Sequence, residues 1–176
     1  MNRKIVLALV LGLCLLCSGV SALPVITATI SANVSGQNFS QYAVNSVVSQ
    51  GGPVSVTQTI DLSSVGAGSL FQNAINRVEG AGTGSQIRQG ISLSGLAPLQ
   101  VQNQQNYANV AGDPLTHVTQ ENRASGGAGG SSLSQFQKNE IFWANGIRGV
   151  PFQNNYATGT ASFLERIQQN MEFNLA

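Results

Sequence analysis

The stretch Ile26–Val34, ITATISANV, constrains the fold more than any other part of the chain. Ile26, Ala28, Ile30, Ala32 and Val34 alternate with Thr27, Thr29, Ser31 and Asn33. Side chains of an extended strand point to opposite faces with period two, so nine residues of this alternation describe a half-buried strand. After the Gly51-Gly52-Pro53 turn, Val54, Val56, Ile60 and Leu62 share a face with Gln58. QIRQGISLSGL (86–96), PLQVQ (98–102) and PLTHVTQ (114–120) read as further short strands, punctuated by glycine and proline.

Two windows fit a helix instead. At 69–79, Ser69 and Gln72 have capping-box spacing, and Leu70, Phe71, Ala74, Ile75 and Val78 recur at helical intervals before Gly80. At 162–172, Ser162 and Glu165 repeat the box, with Phe163, Leu164, Ile167 and Met171 along one face. The expected fold is therefore mainly β: a sandwich of antiparallel sheets with two short helices, at about 69–79 and 162–172. A flexible Gly/Ser loop is expected at about 124–132, where Gly126, Gly127, Gly129 and Gly130 cluster. The three tyrosines, Tyr42, Tyr107 and Tyr156, each follow Gln or Asn and precede Ala. Their unequal gaps, 65 and 49 residues, argue against a regular solenoid repeat of that motif.

The first 22 residues have the layout of a secretory leader. Arg3 and Lys4 precede an apolar run, Ile5 to Cys17, and the small-residue site Val20-Ser21-Ala22. The run is shorter than the ~20 residues that span a bilayer. Removal at that site leaves Leu23–Ala176, a single domain with no cysteine and no membrane span. Its expected place is outside the cell or on the cell surface, or in the periplasm of a Gram-negative host.

Only 6 basic and 7 acidic side chains remain among those 154 residues. There is no cluster of Lys and Arg to neutralise phosphates, so no nucleic-acid partner is expected. Near-zero net charge removes the repulsion that keeps copies apart and favours self-association. Asn33 and Asn38 begin Asn-x-Ser triplets and are candidate glycosylation acceptors. With 15 Asn and 26 Ser plus Thr, chance alone gives roughly 2.5 such triplets.

Groups for catalysis are scarce. His117 is the sole histidine; a triad with Asp113 and a serine lacks the nucleophile elbow, because GISLSG has Ser94 where glycine should stand. One histidine and seven dispersed acids make neither a zinc nor a calcium site, so neither metal nor cofactor is expected. A secreted hydrolase is the weakest reading. A carbohydrate-binding module is the alternative of a different class, with Tyr107, Phe142, Trp143 and Tyr156 as candidate contacts, joined by Tyr42. Against it, Ile141, Phe142 and Trp143 form one apolar run of the kind that fills cores.

The leading expectation is a secreted structural or adhesive protein, self-assembling by β-strand addition, with surface polysaccharide as a further partner. The candidate assembly strand carries Ile26, Ala28, Ile30, Ala32 and Val34. It has no charge, proline or interior glycine to guard its edge. In composition the chain resembles subunits of bacterial or archaeal surface fibres and biofilm-matrix proteins.

Overall fold

The computed structural model describes residues 5–15, 23–127 and 131–175, the first of these as backbone. The candidate cleavage site Val20–Ala22 and the centre of the glycine loop, 128–130, lie outside them. Eleven strands are present: β1 Ile5–Leu15, β2 Val25–Gly36, β3 Phe39–Ser49, β4 Ser55–Gly66, β5 Ser69–Ala81, β6 Gln86–Leu96, β7 Leu99–Val110, β8 His117–Gly126, β9 Ser132–Trp143, β10 Val150–Gly159 and β11 Phe163–Asn174.

The chain is mainly β, as expected, but every pairing is parallel. One sheet has the order β1-β3-β5-β7-β9-β11 and the other β10-β8-β6-β4-β2. Each strand is followed by one in the opposite sheet, so the chain winds as a two-sided β-solenoid of five coils: β2–β3, β4–β5, β6–β7, β8–β9 and β10–β11. This corrects the antiparallel sandwich. Parallel neighbours need a crossover between them, and here the opposite sheet's strand is that crossover.

Both expected helices are strands. Residues 69–79 lie in β5 and residues 162–172 in β11 with the turn before it. Ser69 caps nothing; its N–H and hydroxyl donate to Asn38 Oδ1 at 2.7 and 2.9 Å. A short helix needs packing to persist, whereas each solenoid strand finds an edge already formed by the coil before it.

The chain does carry a regular repeat, though not one that the tyrosine motif marks. Register partners are 31 residues apart from Phe39 to Leu70, 30 to Gln100, 33 to Leu133 and 31 to Leu164. The tyrosines do not mark this repeat. Tyr42 pairs with Asn73, Tyr107 with Arg77, and Tyr156 lies in the other sheet.

The core runs down the axis in columns. Ile26, Val56, Ile87 and Val118 stack in one sheet, and Val47, Val78, Ala108 and Ile141 in the other; all are buried. Trp143 closes this cluster and is fully buried. A second cluster, with Ile30, Ile60, Ile91, Leu62, Leu93, Ala43 and Ala74, fills only the early coils. Farther on the same columns change chemistry. Asn122 and Asn155 continue from Ile91, and Gln104, Gln137 and Gln168 from Ala74.

Glycine is required where coils touch at the corners. Gly80 has φ +70° at the register shift between Val78 and Ala81, and its carbonyl accepts from Gly51 N–H at 2.8 Å. A Cβ there would overlap the Ser49 carbonyl.

Candidate functional site

The most distinctive interior feature is polar. Asn45, Asn76, Asn106, Asn139 and Asn170 occupy one register column of the first sheet, and the first four are fully buried. Each Nδ2 donates to the next Oδ1 toward the C-terminus at 3.0 Å. Four residues before each of the first four stands Gln41, Gln72, Gln102 or Gln135, and there the Nε2 groups donate toward the N-terminus at 2.7–2.9 Å. A third ladder runs through Gln58, Gln89, Gln120 and Gln153 of the opposite sheet with the same polarity as the glutamines.

Apart from Asn45 Oδ1, these amides can be buried because both ends of each are engaged. Gln89 Nε2 also reaches Tyr107 O at 2.9 Å, Gln102 Nε2 reaches Ser125 O at 3.1 Å, and Asn106 Nδ2 reaches Asn122 Oδ1 at 3.1 Å. The ladders therefore tie coil to coil and sheet to sheet. A buried amide left unpaired costs about 1–3 kcal/mol. Among the described residues, two buried side-chain atoms lack a partner: Gln100 Nε2 and Asn45 Oδ1. Gln100 interrupts a column that otherwise holds Phe39, Leu70 and Leu133. Its Oε1 accepts from Gly127 N–H at 3.0 Å, and its amide fills the space left by the missing side chains of Gly95 and Gly126. Asn45 Oδ1 is where the asparagine ladder stops at the N-terminal end.

The two ends of the solenoid are the places where this order meets solvent. At the start, β2 is an edge of its sheet, and β1 lies beside β3 in the other. The strand expected to assemble is this edge. Ile26, Ala28 and Ile30 point into the core, with Ala32 and Val34 half-buried. At the far end β10 and β11 are both edges, and large apolar side chains crowd there: Phe152, Tyr156, Phe163, Leu164, Ile167, Phe173 and Leu175 are exposed.

The last coil also breaks two columns with charge. Arg166 takes the glutamine position, its Nε donating to Gln135 Oε1 at 2.9 Å. Glu172 follows Val47, Val78, Ala108 and Ile141. It accepts from Arg148 Nε at 2.6 Å and from Trp143 Nε1 at 2.5 Å. The Arg148 hydrogen bond, then the Trp143 bond and the Arg148 charge, hold the Glu172 carboxyl below its ordinary 4.5 against partial burial. An acid with a lowered folded pKa stabilises the fold above its ordinary value and loses that contribution as pH falls through the folded value. Below pH 4.5, Glu172→Gln is therefore expected to flatten the acid decline of unfolding stability, read by denaturant titration at each pH. An unchanged acid limb would show that other carboxylates control it.

The remaining candidates are dispersed. His117 is exposed on an outer face between Gln86 and Val150. The Asp113 carboxylate is engaged by Thr116 Oγ1, Leu115 N–H and Gly84 N–H, with the Thr116 bond the chief cause of its lowered pKa. Among the described residues, no three His, Cys, Asp or Glu side chains gather as a metal site, and no helix is long and apolar enough to cross a membrane. Asn33 is exposed; Asn38 is half-buried and holds Ser69. Trp143 is out of reach of any ligand. Tyr107, Phe142 and Phe173 stack along the outer face, with centroids 5.3 and 4.6 Å apart, and Arg77 lies 5.2 Å over Tyr107. Tyr42 and Tyr156 stand apart from this run.

Sequence reasoning missed the ladders themselves. Their signal was present: Gln-x-x-x-Asn at 41–45, 72–76, 102–106 and 135–139. No family model, no curated protein and no solved structure matches this chain.

Proposed function

We propose that this chain is a secreted structural protein of the cell surface or extracellular matrix, joining copies of itself through the open strand edges of its coils. The observation that carries the reading is the unfinished ladder at Asn45: its buried Oδ1 has no donor, and removal of the expected leader, β1 included, leaves β3 as an open edge. Sparse charge and an edge strand β2 without lysine or proline support it. Asparagine and glutamine ladders along parallel in-register strands are the internal arrangement of stacked β assemblies. Adhesion to surface polysaccharide belongs to the same reading, with the outer aromatic run as its contact.

The test compares the purified chain with Ala32→Lys, which puts a charge on the inward side of the β2 edge, and with a chain lacking residues 23–34. Size-exclusion chromatography and negative-stain electron microscopy are expected to show extended assemblies for the unaltered chain. Both altered chains, with β-rich circular dichroism intact, are expected to stay no larger than dimers. A monodisperse monomer at every concentration of the unaltered chain would refute the reading and favour a polysaccharide-binding module.

A further inference from the structure

The last coil does not suit the first. With the expected leader and its β1 removed, a second copy added in the same direction would lay its Gln41 over Arg166 and its Val47 over Glu172, so neither side chain would gain an opposite charge from the newcomer. Its Ala43 would lie over Gln168 and its Ala28 over Gln153, so neither amide would gain a donor.

Turned about a two-fold axis, β11 meets its own counterpart with complementary chemistry: charge against opposite charge, amide against amide, and apolar against apolar. With the axis at Gln169 and the strands antiparallel, Arg166 stands opposite the partner's Glu172, and Glu172 opposite the partner's Arg166. Gln168 stands opposite the partner's Asn170. The Gln168 Nε2 already donates back to Gln137 at 2.6 Å, which leaves its Oε1 as the open acceptor. The Asn170 Oδ1 already accepts from Asn139 and Asn155, at 3.0 and 2.9 Å, and its Nδ2 makes only a 3.4 Å contact with Gln153 O. Acceptor thus meets donor, twice by symmetry. On the outer face Ile167 stands opposite the partner's Met171, and Phe163 opposite the partner's Leu175. The same axis passes β10 near Asn155, whose Nδ2 reaches Gln169 O at 3.0 Å. No charged residue lies in β10 to oppose a second pairing there.

We propose that the C-terminal coil is a self-complementary docking surface for a second copy, joined tail to tail through antiparallel β11 strands with Arg166 and Glu172 paired across the axis. The joint is isologous and closes as a two-fold dimer. It leaves both N-terminal ends outward, so a pair extends from two sides. The inference rests on the self-association proposed above and adds its geometry.

The test has two arms. In the mature chain from Leu23, which has no cysteine of its own, Gln169→Cys is expected to form a disulfide dimer under mild oxidation. In the second arm, Arg166→Glu and Glu172→Arg chains are prepared separately. Each sets like charges opposite one another at both symmetric sites and is expected to weaken dimerisation about tenfold. Mixing the two restores opposite pairs and is expected to recover dimers, seen by analytical ultracentrifugation. Crosslinking of Asn45→Cys to Asn170→Cys, without a Gln169→Cys dimer and without rescue on mixing, would overturn the tail-to-tail joint and leave self-assembly standing. A discrete crosslinked dimer with no larger species would keep the joint and remove the assembly reading.

Discussion

Asn106→Asp is expected to cost about 3–5 kcal/mol of folding stability at neutral pH, the range for an uncompensated buried charge. Asn106 Nδ2 donates to Glu121 O, Asn122 Oδ1 and Asn139 Oδ1 at 3.0–3.1 Å, and its Oδ1 accepts from Asn76 at 3.0 Å. A carboxylate keeps the last contact and turns the other three into acceptor against acceptor. Burial and those acceptors raise the folded pKa of the new acid. The charge penalty is thus absent below its unfolded pKa, about 3.9, where the single O–H of the neutral acid still serves only one of the three acceptors, and it grows as pH rises. Urea unfolding at neutral pH and near pH 3.5 measures both limbs. Asn170→Asp, in the same column at the exposed end, is the control and is expected to lose under about 1 kcal/mol. Equal losses at the two positions would mean that the ladder does not hold the coils together.

Trp143→Ala is expected to lower stability by about 3–5 kcal/mol, as for other fully buried large side chains. The indole is fully buried, terminates the aliphatic cluster and is packed so closely by Gly149 that a Cβ there would sit 2.8 Å from the ring. It also donates to Glu172, so its loss frees the last coil as well as opening a cavity. Solenoid coils contact only their neighbours, and stability is close to a sum of coil and interface terms. Hydrogen exchange is therefore expected to accelerate first in β10 and β11 and least in β4 and β5. Uniform acceleration along the chain would show a single cooperative unit instead.

The strands were legible where apolar and small polar residues alternate, as in Ile26–Val34. The 69–79 window misled for a definite reason. Leu70, Ala74 and Val78 recur every four residues, a spacing that keeps side chains on one face of a helix and of a strand alike. The deciding residues were Gln72 and Asn76, which point inward; polar side chains are mostly exposed, and that rule hid them. It fails here because a primary amide carries donor and acceptor on one group, so a column of them satisfies itself. Strand direction was not encoded in alternation at all. Connections as short as Gly36 to Phe39 fit a hairpin as well as a step to the opposite sheet. The far-end pairing of Arg166 with Glu172 depends on register, which becomes visible only once the coils are stacked.

The change from aliphatic to amide filling along the axis has a thermal consequence. Exposing apolar surface raises heat capacity, whereas exposing polar surface lowers it. The first three coils, which bury Ile30, Ile60, Ile91, Leu62 and Leu93, carry more of the curvature of stability with temperature than the last two, where Asn122 and Gln137 are buried beside Val118, Ile141 and Trp143. Burial of the first kind weakens on cooling. The molecule is in this sense graded, with a cold-sensitive end at β2 and β3 and a cold-tolerant end at β10 and β11.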